Sequence, residues 1–329
     1  MRAWFNSFKY KNSKLAYNIV SIFRYCTPKF LLRNRLPRIL ARLDNYDKEY
    51  IFDRVNYYNK LNAKTALSGD IVALADFKYP PKKHGKSSRT VYFFDTYQYT
   101  RFFPDSMKIC YEFGDVTTAP PCPSIVKSRP VGGDNANSVL LNLNKTRHFM
   151  FVEDKTDFRD KMDMLVGRGA IYQPHRIKFW QMYFNHPLCD LGGVGKHPQM
   201  PKQWARELMT IGEHLEYKFI LCLEGNDVAT NLKWVMSSNS VAVMPRPKYE
   251  TWFMEGRLIP NHHYIEIKPD YSDLEDRLKY YIARPGEAEK IIKNANAWTA
   301  QMRDSKREDL ISLLVLQKYF DMTGQTAKK

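Results

Sequence analysis

The chain has 329 residues, enough for two domains with a substantial core, and no run of about twenty apolar residues, so no transmembrane helix is expected. Its five cysteines, Cys26, Cys110, Cys122, Cys189 and Cys222, form no C-x-x-C pair, which fits reduced thiols in a cytosol better than a disulfide framework. The net charge is +16, and it is unevenly placed: residues 1–43 hold ten Lys and Arg and no acid.

In chain order, residues 1–43 read as helical pieces broken at Pro28 and Pro37, with no apolar run that would mark a signal peptide. Their cations are interleaved with Trp4, Phe5, Phe8, Phe23 and Phe30, a pattern that suits a helix lying on an anionic membrane surface. Simple packing on the fold is the alternative. Nucleic acid is disfavoured, because basic charge beyond residue 43 is scattered. Residues 44–62 read as an amphipathic helix with Tyr50, Ile51, Val55 and Tyr58 at helical spacing. A strand is expected around Ile71–Leu74, an exposed basic loop over 80–88, and strands over 89–94, 107–113, 124–127, 149–152 and 164–167. Helices are expected from Pro174 to Phe184, over 201–215, and from Asp273 onward, including 308–322.

The segment 218–245 is the most informative. Phe219–Leu223 is an apolar run ending at Glu224-Gly225, where a buried parallel strand would stop. Asn226 or Asp227 is positioned to cap a following helix with Leu232, Val235 and Met236 on its apolar face. Ser240–Met244 reads as a second buried strand. The result is a βαβ unit whose helix start would offer N–H groups to an anion, although neither G-x-G-x-x-G nor G-x-x-x-x-G-K-[ST] is present. Alternating strands and helices predict an α/β fold with mostly parallel sheets.

The run Glu224-Gly225-Asn226 through Lys233, followed by Ser-Ser-Asn-Ser-Val, resembles the core motif of glycosyltransferase family 90. The likeness continues through Tyr249-Glu250-Thr-Trp-Phe, His262-His-Tyr-Ile-Glu-Ile and Tyr271-Ser-Asp-Leu-Glu-Asp, and spans roughly residues 105–300. This family includes protein O-glucosyltransferases, capsule xylosyltransferases and lipopolysaccharide core glycosyltransferases, and the wording here is closest to the last branch. One position departs: Asn231 stands where eukaryotic members often carry an Arg.

The resemblance implies a GT-B fold, two Rossmann-like domains facing a cleft. The expected division is a basic segment 1–43, an acceptor-side domain 44–155 joined by a C-terminal helix within 305–329, and a nucleotide-sugar domain 156–304. It also implies inverting transfer of a hexose from a UDP-sugar to a lipid-linked oligosaccharide or lipopolysaccharide inner core, by a cytoplasmic enzyme peripheral on the inner face of the cytoplasmic membrane. Such a transfer needs electrostatic stabilisation of the departing diphosphate, a base for the acceptor hydroxyl, and a grip on the nucleotide.

For the diphosphate, Arg168 between Gly167 and Gly169 stands at the carboxyl end of an apolar strand, where open α/β sheets bind ligands, and Arg176 follows. Both match a recurrent donor-site element of the family. For either arginine the other reading is one stacked in a loop or paired to Asp190. The turn Gly225, Asn226, Asp227 to Thr230 adds N–H groups and a hydroxyl. Lys233 either reaches a phosphate or is a solvated helix residue. Glu250 either accepts from a sugar or ribose hydroxyl or pairs with Arg246 or Arg257. His175 is a lesser donor candidate. For the base, Asp115 follows a strand and precedes a Pro-rich turn, matching a family pattern that carries the base of an inverting transfer; a turn-capping role is the alternative. Glu112, Asp105 and Asp134 compete. No metal is expected: Asp160-Lys-Met-Asp163 is wrongly spaced for Asp-x-Asp, and the pair His262-His263 lacks a third ligand. The rivals are a retaining transferase with Asp115 non-catalytic, a nucleic-acid- or membrane-binding protein without transferase activity, and a sugar-binding relic.

Overall fold

The computed structural model describes residues 13–79, 90–195 and 197–326. The expected basic loop over 80–88 and the first part of the basic segment lie outside them. The chain divides into two compact units.

One unit holds His148–Pro247 and Arg257–Gln301. Its elements are β1 Met162–Gly169, α1 Pro174–Tyr183, β2 Cys189–Gly193, α2 Ile211–His214, β3 Tyr217–Leu221, α3 Leu232–Val235, β4 Val241–Met244, β5 Ile265–Glu266, α4 Leu274–Ala283 and α5 Pro285–Ala300. The five strands form one sheet in the order β5-β4-β3-β1-β2, and every pairing is parallel. Strands covered on both faces read as continuous apolar runs. Accordingly Leu165, Val166, Phe219, Ile220, Val241 and Val243 are all buried. Phe179, Leu274, Leu278 and Ile291 from the helices close the same core. Pro174 sits in the first turn of α1, where its missing N–H costs nothing.

The other unit holds Ser13–Arg147, Lys248–Gly256 and the segment from Met302 on. It contains a three-stranded parallel sheet of Tyr111–Glu112, Ser124–Val126 and Ser138–Leu140. Two antiparallel pairs accompany it, Val72–Ala73 with Lys108–Ile109 and Ser128–Pro130 with Tyr249–Thr251. The C-terminal helix Ser305–Met322 packs on the helices Lys48–Tyr58 and Thr90–Thr100. A buried fork fixes it there: Arg54 donates from Nη1 and Nη2 to the Glu308 carboxylate at 2.5 and 2.8 Å. Trp252 Nε1 donates to the same carboxylate at 2.6 Å, and Tyr58 stacks on Trp252 at 3.8 Å. Buried charges persist only when paired in this way.

Four expected elements are corrected. Residues 90–100 form a helix, not a strand; every residue from Tyr92 to Thr100 is buried, so no polar face betrays the helical period. No strand forms over 149–152. The helix expected over 201–215 is only a 3₁₀ turn, Lys202–Trp204, and the single turn of α2, because a capping box of Thr210 with Glu213 starts a new helix. The helix expected from Asn226 or Asp227 begins only at Leu232 and has four residues. Neither Asn226 nor Asp227 caps it, and so short a helix supplies no useful dipole to the turn before it.

Candidate functional site

The carboxyl edge of the five-stranded sheet gathers most of the expected donor residues. β1 ends in Gly167-Arg168-Gly169, paired in register so that Arg168 lies opposite Gly192 and Gly169 opposite Gly193. The glycines there are required by close approach. A Cβ at Gly192 would fall 2.5 Å from Arg206 Cβ and 3.0 Å from Arg168 Cδ. A Cβ at Gly193 would overlap Met200.

Arg168 pairs with Asp190: Nη2 meets Oδ1 at 2.7 Å and Nη1 donates to the Asp190 carbonyl at 2.8 Å. Asp190 also accepts from the Tyr217 hydroxyl at 2.6 Å. Burial pushes the Asp190 carboxyl up, but the hydrogen bonds from Tyr217 and Arg168 outweigh it and hold the group below its ordinary value. Tyr217 is pushed up to about 12 by burial and then by Asp190. Arg168 thus adopts the Asp190-paired alternative, while its buried Nε has no hydrogen-bond partner among the described residues.

Arg176, on the first turn of α1, is placed differently. Nε donates to the Glu224 carbonyl, Nη1 to that of Ala170 and Nη2 to that of Leu223, each at 2.9 Å. A guanidinium carries more N–H groups than these three bonds use. Among the described residues no carboxylate lies within ion-pair distance of it. Burial lowers its pKa from the ordinary value, yet an arginine stays charged at any working pH. An uncompensated cation therefore ties the end of β1 to the turn after β3.

That turn is further held from α1 and the residues just before it. His175 Nε2 meets the Glu224 carbonyl at 2.8 Å, and Asn226 Oδ1 accepts from the Tyr172 hydroxyl at 3.1 Å and Gln173 Nε2 at 3.3 Å. Asn231 Nδ2 donates to the Leu221 carbonyl at 2.9 Å. Gly225 lies against Arg176 and Gln173: a Cβ there would be 3.7 Å from Arg176 Nη2. So Gly169, Arg176, Gly225 and Asn226 come together, with Thr230 half-buried farther along. Asp227 is buried. Lys233 is fully buried, which removes the solvated reading of it. Tyr172 and Gln173 were not singled out from sequence, although Gln173-Pro174 is a visible helix start.

Glu250 belongs to the other unit. It is buried in an ion pair with Arg129 at 2.8 Å and accepts from the Tyr57 hydroxyl. The expected partners differ, since Arg246 pairs with Glu266. With 1 % of its side chain exposed, Glu250 is engaged in structure, which weighs against a sugar contact. Asp115 stands in the same unit, just past the strand Tyr111–Glu112 at the carboxyl end of the parallel sheet. Gly114 before it has φ +124°, a conformation open to glycine. Asp115 keeps 32 % of its side chain exposed and meets the buried Lys127 ammonium at 2.7 Å. This pair fixes the carboxylate while leaving it accessible. Among the described residues no three His, Cys, Asp or Glu side chains converge as a metal site, and no helix is long and apolar enough to cross a membrane.

Comparison with known proteins adds an independent line. The family model for glycosyl transferase family 90 matches residues 196–323. A protein from Dichelobacter nodosus described as O-glucosyltransferase LpsA is 43% identical over 272 residues, 83% of each chain. Human protein O-glucosyltransferase 3 is 27% identical over 168 residues, covering 49% of this chain and 32% of the human one. An uncharacterized protein, 027R, of Frog virus 3 is 35% identical over 116 residues, 34% of this chain and 12% of its own. With such a relative covered over most of its length, the chain belongs to glycosyltransferase family 90 and is a glycosyltransferase.

Proposed function

We propose that this glycosyltransferase moves a hexose from a UDP-sugar to a saccharide acceptor of the lipopolysaccharide inner core, with inversion, in a GT-B arrangement at the inner face of the cytoplasmic membrane. The observation that carries the donor half of the reading is Arg176: a cation with no carboxylate partner among the described residues, set at the carboxyl edge of a parallel sheet beside the Gly225-Asn226 turn. Open α/β sheets bind ligands at that edge, and the planar fork of a guanidinium suits the phosphate oxygens of a diphosphate. A hexose is favoured because the relative from Dichelobacter nodosus is described as an O-glucosyltransferase. The uridine and the lipopolysaccharide acceptor come from the family resemblance.

The reaction is a single displacement. Asp115 takes the proton from the acceptor hydroxyl as its oxygen attacks the anomeric carbon. The bond from that carbon to the β-phosphate oxygen breaks, and UDP leaves with the electron pair. Arg176, with the N–H groups of residues 226–230, stabilises the charge that grows on the diphosphate. Arg168 contributes through whatever share of its charge Asp190 leaves, and the buried Lys233 adds a further cation. The protein's own cations fill the role that a divalent ion plays in other sugar transferases, so no metal is required.

The test is a transfer assay with UDP-glucose and a soluble core-oligosaccharide acceptor, read by NMR for the anomeric configuration and run with and without EDTA. Product of opposite configuration to the donor, formed at an unchanged rate under chelation, is expected. A retained configuration would make the enzyme a retaining transferase. Activity abolished by EDTA and restored by Mg²⁺ or Mn²⁺ would refute metal independence. Stabilisation by CMP- or GDP-sugars and not by UDP-sugars in a thermal-shift panel would overturn the donor.

A further inference from the structure

The helix Lys14–Cys26 is docked the opposite way round from an ordinary amphipathic helix. One side meets the helix Thr90–Thr100: the Tyr17 hydroxyl donates to Asp95 at 2.9 Å, Arg24 donates to Gln98 at 2.8 Å, Ser21 is buried, and the Tyr25 ring packs on Phe93 and Tyr97. At 3.6 residues per turn these positions share one face. The opposite face carries Leu15, Ile19, Ile22 and Phe23, and these are 71, 59, 54 and 74 % exposed. Phe30 and Leu31, in the short helix Phe30–Arg33 that follows, are exposed as well. A soluble helix normally turns such a stripe inward.

The charge of the same segment says what covers it, since residues 1–43 hold ten Lys and Arg and no acid. Lys14, Arg35, Arg38 and Arg42 are exposed, and none has a carboxylate within ion-pair distance among the described residues. A second copy of this segment would bring like charges together, which disfavours self-association. An exposed apolar stripe within so basic a segment fits an anionic lipid surface.

We propose that the outward stripe Leu15-Ile19-Ile22-Phe23, in the basic segment that also exposes Lys14, Arg35, Arg38 and Arg42, is the surface by which the protein lies on anionic membrane, while Tyr17, Arg24 and Tyr25 hold the helix to the body. This deepens the reading of a membrane-linked acceptor, but its physics does not depend on that acceptor.

The experiment uses the full chain and vesicles of phosphatidylcholine with or without phosphatidylglycerol. Wild type should co-sediment with the anionic vesicles and not the neutral ones, and less so as salt rises. Ile19→Ser with Phe23→Ser should abolish binding, and each of Arg35→Gln, Arg38→Gln and Arg42→Gln should lower it about fivefold. All should keep wild-type thermal stability, because the altered side chains are exposed. A Phe23→Trp variant reports the occupant through its difference spectrum against wild type. Emission should be that of exposed indole in buffer and shift blue on anionic vesicles. A blue emission already present in buffer would mean that the chain's own N-terminal residues cover the stripe, or a second copy if it grows with concentration; either overturns the proposal. Undiminished vesicle binding by the double Ser variant would also overturn it. Loss of binding with unchanged transfer to a soluble acceptor would separate this surface from the catalytic reading, which stands or falls on that transfer alone.

Discussion

Replacing Arg176 by Ala should weaken UDP far more than uridine. The guanidinium spends three N–H groups on the carbonyls of Ala170, Leu223 and Glu224, and the proposal gives the remaining ones to the diphosphate. A hydrogen bond to a charged group is worth about 1.5–3 kcal/mol, so losing one such contact corresponds to roughly a tenfold to hundredfold loss of UDP affinity. Uridine carries no phosphate and should lose only what a looser turn costs. The turn does loosen, because three carbonyls lose a donor; since Arg176 is only partly buried, water replaces much of it, and a stability loss of about 1–2 kcal/mol is expected. Isothermal calorimetry with UDP, UMP and uridine, alongside urea unfolding, separates the two effects. Arg176→Lys sharpens the comparison: an ammonium keeps the charge but cannot span three carbonyls, so it should recover part of the UDP affinity and little of the stability. Equal losses for UDP and uridine would show that Arg176 only braces the turn, and the donor reading would lose its main support.

Two further outcomes are expected. Asp115→Asn should leave UDP affinity within about twofold and lower turnover by about a hundredfold to ten-thousandfold, the usual contribution of a general base; wild-type turnover in that variant would remove Asp115 from the reaction. His263 gives a pH signature of the fold itself. Burial, and then the neighbouring His262, push its pKa from 6.5 down to about 4. Between those values the unfolded chain binds a proton that the folded one does not, so stability should fall as pH drops from about 6.5 to 4 and be unaffected by this group above that window. Burial lowers His214 too, with the same sign, so the measurement is the difference in urea midpoint between wild type and His263→Gln across pH 4 to 7. A difference that does not change with pH would refute the assignment.

What the sequence revealed and what it hid follow from how each segment is buried. β1, β3 and β4 were legible because they lie inside a parallel sheet, and each reads as a short apolar run bounded by Gly, Ser or Pro. The helix Thr90–Thr100 was hidden by the same cause. Its sequence, rich in Tyr, Phe and Thr, favours a strand locally, and burial of Tyr92 through Thr100 removes the polar stripe that would have revealed a helix. The turn after β3 was located correctly but its mechanism was not. Asn226 and Asp227 look like caps, whereas the structure holds that turn from outside, by Gln173 and by His175 and Arg176 on α1. Those contacts join residues about fifty positions apart, and no local pattern encodes them. Glu250 shows the same limit. Its motif lies between two segments of the unit with the five-stranded sheet, yet the chain leaves that unit over Lys248–Gly256 and delivers the carboxylate to Arg129 and Tyr57. A family motif therefore marks what must be kept together in sequence, and only the fold says which part grips a ligand and which part ties the chain. By that criterion Arg176 and Asp115, charged and still partly accessible, are the residues to test for chemistry. Glu250, sealed between an arginine and a tyrosine, is one to test for stability.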